Sequence, residues 1–375
     1  MPSIWCAISG HGYGHAAQVV PILNALSALV PGVIAILRTT VPASFFRDRL
    51  AIPWEHSPGQ QDVGCIQDGP LKIDIEATWA AHQHFHDTWD TRLSHEVAAM
   101  QAASPALVLA DTPYLAIEAG SRAQIPTVAL ANLTWDLVLK KFYRTSNHSR
   151  QQLIQRIRES YAKADMALRI TPAPKIDAFS KMIDIGPIAS PNSPERDRLA
   201  STLALTPNER TVLVGFGGIP LTSLPLKQME QLRHYRFLFD GPVPPGYSRV
   251  HSTETLPFSF KTLLASVDVI MTKPGYGTIV EAVALQQPVV YIRRYNFADE
   301  QPLVDYLQRY GRGIELSLDD FSQGRWEVAL QQSLNTPVPS LPPSPTGATE
   351  AAAFIAQRLR HFETRSNGRT DDLRS

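Results

Sequence analysis

Short apolar runs alternate with stretches of helical periodicity along most of this chain, and several of the runs end in glycine or aspartate. Ile4 to Ser9 is one such run, bounded by Gly10. A run that is apolar throughout predicts a strand buried on both faces. Ala16 to Val30 carries apolar residues at helical spacing (Val19, Ile22, Leu23, Leu26) and stops at Pro31-Gly32. Val33 to Leu37 predicts the second strand. Strands joined through a helix imply parallel pairing and right-handed crossovers. The pattern returns as a strand over Ala106 to Ala110 ending at Asp111, a helix over Leu115 to Gln124 and a strand over Ile125 to Leu130. It begins afresh at Thr211 to Gly218, then runs through a strand over Val267 to Met271, a helix over Thr278 to Leu285 and a strand over Pro288 to Ile292.

In a chain of 375 residues this alternation predicts an α/β fold of two Rossmann-like domains facing a central cleft. Proline-rich segments mark the divisions. The expected organisation is an N-terminal domain over 1–188, a linker over 189–209 and a second domain over 210–335. A Pro-rich connector over 336–347, a C-terminal helix over 348–364 and a frayed tail over 365–375 follow.

Hydrophobic residues make up 44% of the chain and charged residues 19%, which suits ordinary buried cores. Lys plus Arg is 35 and so is Asp plus Glu, so there is no surplus of cations to replace the counterions of a nucleic acid. Nucleic acid is therefore not an expected partner. Cys6 and Cys65 alone build neither a disulfide framework nor a cysteine-based zinc site. No run approaches the roughly eighteen apolar residues of a spanning helix. The amino terminus enters the first strand without a basic leader, so a soluble cytoplasmic protein is expected.

Gly10-His11-Gly12-Tyr13-Gly14-His15 lies between the first strand and the first helix, where open α/β sheets bind ligands. Its glycines let backbone N–H groups approach a ligand, and the helix start is the positive end of a dipole. Read as Gly12-x-Gly14-x-x-Ala17 it fits the loose dinucleotide fingerprint, but Arg38-Thr39-Thr40 stands where an acidic residue is expected. His15, in the first helical turn, suits a general base; capping its own helix is the plainer alternative. Asp111, ending a buried strand, can orient a histidine. It can equally cap the following helix.

In the second half, Lys273-Pro274-Gly275-Tyr276-Gly277-Thr278 connects a strand to a helix. Its backbone N–H groups, the Thr278 hydroxyl and the Lys273 ammonium form a candidate diphosphate cradle. Glu281, one turn on, offers acceptors for ribose. Gly217 and Gly218 form a second glycine turn, and Glu300-Gln301 offers polar groups for sugar hydroxyls. A salt-bridged turn and a solvated loop are the bland alternatives. His82, His84 and His86 with Asp87 suggest either a metal cluster or, with Trp79, Phe85 and Trp89, an acceptor-side wall. Lys140, Lys141, Arg144, Arg150, Arg156 and Arg158 read as a solvated helix face before a membrane-surface patch.

Together these segments resemble the GT-B glycosyltransferases, from about Ile4 to Leu316. The loop ending in His15 resembles that of plant and bacterial UDP-glycosyltransferases and of the peptidoglycan enzyme that adds N-acetylglucosamine to lipid. The glycosyltransferase-like N-terminal domain of L-arabinokinases is similar in its Gly-His-Gly-aromatic-Gly-His run. Lys273 to Glu281 is similar in spacing to the donor signature of these enzymes, and Thr-Lys-Pro-Gly to the diacylglycerol glycosyltransferases. Where a base-stacking tryptophan is expected, before Leu263-Leu264, this chain has Phe258-Ser259-Phe260.

The resemblance implies an inverting, metal-independent transfer of a sugar from a nucleoside-diphosphate donor, UDP-linked, to an acceptor hydroxyl. It makes His15 and Asp111 catalytic. Gly14, Gly217, Gly218, Lys273, Gly275, Tyr276, Gly277, Thr278, Glu281, Glu300 and Gln301 become donor-binding. No cofactor is implied beyond the nucleotide-sugar co-substrate. The acceptor is a small molecule or a lipid, the latter with peripheral contact at the inner membrane face, and the oligomeric state stays open. A nucleotide-sugar epimerase of the same fold and a noncatalytic nucleotide-sugar-binding protein are the alternatives, with an NADP-linked oxidoreductase last.

Overall fold

The apolar runs become two separate parallel sheets in a computed structural model, which describes residues 2–143, 147–217 and 224–371. The chain divides into two compact units. The first comprises Met1–Ile66, Asp74–Ile188 and Pro345–Ser375, and the second Gln67–Ile73 and Ala189–Ser344.

The first unit holds strands β1 (Ser3–Ile8), β2 (Ile34–Thr39), β3 (Trp54–Pro58), β4 (Leu107–Asp111), β5 (Thr127–Ala131), β6 (Met166–Ile170) and β7 (Met182–Ile185). Their order is β3-β2-β1-β4-β5-β6-β7, and every pairing is parallel. β4 and β5 are buried at every position, as strands covered by helices on both faces must be. The chain leaves β1 toward β2 on one side and returns to β4 on the other. The crevice at such a reversal, outside the carboxyl ends of the strands, is where this architecture binds ligands. Ile8 pairs with Asp111 there, so the glycine loop and Asp111 emerge side by side.

The second unit holds β8 (Arg210–Val214), β9 (Tyr235–Phe239), β10 (Val250–Ser252), β11 (Val269–Thr272), β12 (Pro288–Tyr291) and β13 (Arg312–Glu315), in the order β10-β9-β8-β11-β12-β13. Again all pairings are parallel. The reversal falls between β8 and β11, so the turns beginning at Gly215 and Lys273 share one end of this sheet. Val212, Val214, Phe237, Met271, Trp326 and Leu330 form its core.

Three expected boundaries move. Residues 189–209 are not a bare linker: the helix Arg196–Thr202 forms there, buries Leu199 and belongs to the second unit. Gln67–Ile73 also belongs to the second unit, with Leu71 packed on its core. The last helix runs from Gly347 to Asp371, past the expected frayed tail, since extending a formed helix is far easier than starting one. It packs on the helix Gly14–Leu29 through Ala351, Ala352, Ile355, Ala356 and Leu359, all buried. No helix among the described residues is long and apolar enough to cross a membrane.

Candidate active site

The buried Ser9 follows β1, and the glycine loop then turns into the helix Gly14–Leu29. Gly14 is the helix's first residue and His15, 7% exposed, its second. His15 Nδ1 lies 3.3 Å from Asp111 Oδ2, and the Thr112 hydroxyl is 3.4 Å from the same nitrogen. Both capping alternatives fall away. The N-cap positions of the helix Gly14–Leu29 and the helix Tyr114–Arg122 are held by Tyr13 and Pro113, so neither His15 nor Asp111 occupies one.

Asp111 is fully buried, and burial pushes its carboxyl up while the charge of His15 and the Thr112 hydroxyl pull it down. The turn that presents it is strained. Thr112 has a φ of 73°, a left-handed conformation that costs a β-branched residue about 1–3 kcal/mol. Its N–H donates to Leu130 O at 3.0 Å and its carbonyl accepts from Tyr161 Oη at 2.7 Å. The strained turn is thus held from both sides beside the His15–Asp111 pair.

One neighbour escaped the sequence reading. Asp62 is 4% exposed and bonds to Ser9 and to the indole of Trp135. The Trp135 ring meets His11 edge-on, with centroids 5.4 Å apart, and His15 at 6.4 Å. Asp62 sits in a polar segment with no periodicity, so nothing local to it signals its position. Tyr13 is exposed and stacks on Phe45 at 5.2 Å.

The histidine cluster separates into different roles. His82 Nε2 bonds to Gly64 O at 2.9 Å, and burial lowers its pKa to about 4. His86 stacks on Trp89 with centroids 4.7 Å apart and lies near-parallel to Tyr114 at 5.6 Å, and burial takes it to about 3; His84 is exposed. No group of three or more His, Cys, Asp or Glu side chains among the described residues could hold a metal ion. The basic run is largely paired: Arg150 with Glu76, Arg156 with Asp90, and Arg158 with Asp136 and Asp177. Arg144 lies outside the described residues.

In the second unit, Lys273 follows β11 and is 8% exposed. Its Nζ donates to Phe216 O at 2.6 Å. Burial lowers its pKa to about 7, with Arg294 adding to the effect and Asp299 opposing it. Gly217 has a φ of 74°, and a Cβ there would lie 3.0 Å from that ammonium, so glycine serves both the turn and the lysine. Gly218 lies outside the described residues.

The helix Tyr276–Ala284 opens after Gly275 without a side-chain cap. The N–H groups of Tyr276, Gly277 and Thr278 therefore lack the intrahelical acceptors that later residues enjoy. Thr278 is partly exposed, whereas the Tyr276 ring is buried. Glu281 is 8% exposed and holds Lys261 Nζ at 2.6 Å; burial pushes its carboxyl up against that partner.

Glu300 departs from the expectation that it meets a sugar. It is 1% exposed and accepts from Arg293 Nε at 3.2 Å, Arg294 N at 2.9 Å and Tyr295 N at 2.8 Å. Its oxygens face inward because two guanidinium groups and a loop backbone converge on them. Arg294 also donates to Pro274 O at 3.3 Å, which ties this loop to the Lys273 turn. Gln301 is exposed, with its amide oxygen 2.7 Å from Arg293 Nη2. The arginines are the residues the sequence reading missed here.

No protein-family model matches the sequence. The L-arabinokinase of Arabidopsis thaliana is 25% identical over 360 residues, which are 94% of this chain and 34% of that protein. The chain thus spans about a third of that relative's length. Among solved structures, the calicheamicin glycosyltransferase CalG4 superimposes with a TM-score of 0.59 at 15% identity, covering 99% of this chain and 98% of that one. Phytolacca americana UGT2, complexed with UDP-2-fluoro-glucose and pterostilbene, gives 0.59 at 15% identity over 96% of this chain and 94% of its own. S. aureus MnaA with UDP gives 0.59 at 13% identity over 97% of each chain. The fold of this chain is that of the GT-B glycosyltransferases, an α/β fold built on two parallel sheets.

Proposed function

We propose that the protein is a glycosyltransferase that moves a sugar from a nucleoside-diphosphate donor, UDP-linked, to an acceptor hydroxyl, with inversion and without a metal ion. The observation that carries this reading is the pair formed by His15 and the buried Asp111 at the reversal point of the first sheet. With Nδ1 facing the carboxylate, Nε2 is the nitrogen that takes the acceptor proton as that oxygen attacks the anomeric carbon. Asp111 holds the tautomer and stabilises the imidazolium. The leaving diphosphate meets the N–H groups that open the helix Tyr276–Ala284, with Thr278 and Lys273, an electrostatic stabilisation of the developing charge. Glu281 serves the ribose, in exchange with Lys261. Gln301 serves the sugar, on a loop that Glu300 holds in shape from within.

A nucleotide-sugar epimerase of the same fold is the second reading, and the likeness to MnaA, solved with UDP, suits a nucleotide ligand in either case. An epimerase converts the nucleotide sugar with no acceptor present, and a protein that only binds it leaves it intact. The test incubates the protein with UDP-sugars and a panel of phenolic, sugar and lipid acceptors, and follows free UDP with the glycosylated product. His15→Ala and Asp111→Ala, each verified as folded, should lower acceptor-dependent UDP release by about 10²- to 10⁴-fold. EDTA should leave the rate unchanged. Full activity in both variants would sink the mechanism.

A further inference from the structure

Asp62 has no part in the mechanism above, yet it is bound into the same neighbourhood. It lies between β3 and the helix Ile75–Asp87, 4% exposed, with both oxygens accepting: Oδ1 from Ser9 Oγ at 3.0 Å and Oδ2 from Trp135 Nε1 at 2.8 Å. Ser9 Oγ accepts in turn from His11 N at 3.3 Å, which directs its proton to Asp62. An indole N–H can only donate. Both contacts therefore suit a carboxylate.

The network does not stop there. Trp135 N donates to Tyr161 Oη at 3.2 Å, and Tyr161 Oη donates to Thr112 O at 2.7 Å. Asp62 is thus linked through Trp135 and Tyr161 to the strained turn that carries Asp111. The segment around it is fitted to the glycine loop as well. Gly64 has a φ of 76°, and a Cβ there would lie 2.5 Å from His11 Nδ1. Cys65 N donates to that nitrogen at 3.4 Å.

We propose that Asp62 is a positioning residue for His15, acting through the Trp135 ring, through the Ser9–His11 turn and through its own charge. The inference rests on the reading of His15 as a base. A buried carboxylate is costly to desolvate, and a hydroxyl and an indole N–H satisfied by it return only part of that cost. That cost is offset when the imidazole beside it becomes cationic. Burial pushes the Asp62 carboxyl up, while Trp135, the charge of His15 and Ser9 pull it down and Asp111 pushes it up. The other titratable groups of this neighbourhood are Asp111 on β4, His11 in the loop, Cys6 on β1, and Tyr114 and Tyr161 on their helices. The net effect of burial is upward, but with both oxygens accepting from donors Asp62 has the contacts of a second anion, one that favours imidazolium at His15.

Imidazole titrations followed by proton–nitrogen NMR test this, with His15 assigned through His15→Gln. In Asp62→Asn the His15 midpoint should fall by roughly one pH unit relative to the natural protein. The acid limb of the transfer profile should move with it. Ser9→Ala, a milder change, should move the midpoint the same way by less, and carries the test if Asp62→Asn does not fold. An unchanged midpoint in the folded variants would overturn the proposal. A fallen midpoint in a protein that transfers no sugar would uphold it and remove the glycosyltransferase reading instead.

Discussion

Lys273 shows how burial converts an ordinary side chain into a responsive one. At 8% exposure its ammonium has lost most of its water, and its pKa falls from 10.5 to about 7. The sign for stability follows from proton counting. Between about pH 7 and 10.5 the unfolded chain binds more protons at this position than the folded one, so its contribution to stability rises with pH across that window. Below it both states are protonated and the full cost of burying the charge is present. A diphosphate bound beside the lysine reverses the balance by favouring the ammonium. Calorimetric UDP binding at about pH 8, in buffers of different ionisation heat, should show proton uptake in the natural protein and less in Lys273→Met. Lys273→Met should also bind UDP more weakly, and equal uptake in both would exclude the lysine from the cradle.

At the level of elements, legibility followed burial. β4, β5, β11 and β12 are buried at every position, so each reads as an unbroken apolar run. The edge strands β3 and β7 are half exposed, and Trp54-Glu55-His56 or Met182-Ile183-Asp184 carries no such run. The glycine loops were legible because a turn at a strand end restricts residue type wherever it occurs. The position of Asp62 and the inward face of Glu300 were not, because each is decided by partners distant in sequence: Trp135 for one, a loop of converging donors for the other. The closing helix makes the same point, since its packing on Gly14–Leu29 depends on the chain returning to the first unit. Ile355 and Leu359 are 0% and 1% exposed there. Truncating either to alanine should cost about 2–5 kcal/mol in denaturant unfolding. The loss should appear in probes of the first unit while Trp326, in the second unit's core, reports an unchanged midpoint. Equal losses in both would mean that the helix supports more than the first unit.

The whole molecule has a balanced charge, 35 cations against 35 anions, so long-range attraction does not choose its ligand. Selection then falls to short-range groups, and the second unit carries several that suit a diphosphate: Lys273, Thr278 and the start of the helix Tyr276–Ala284. Binding should therefore stabilise one unit by mass action. A ligand at a hundred times its dissociation constant adds about 2.7 kcal/mol to whatever must unfold to release it. Hydrogen exchange read by mass spectrometry separates the units, with UDP, GDP, TDP, CDP, ADP and NADP as ligands. The expected result is slower exchange over β8, β11 and the helix Tyr276–Ala284 with one nucleoside diphosphate, and unchanged exchange over β2 and β3. The protecting diphosphate names the base, and loss of that protection in Glu281→Ala would place the ribose at its carboxylate. Protection by NADP alone, centred on the loop before His15, would instead make Gly12-x-Gly14-x-x-Ala17 a dinucleotide turn. The donor site would then belong to the first unit, and the histidine-and-aspartate pair would need a different chemistry.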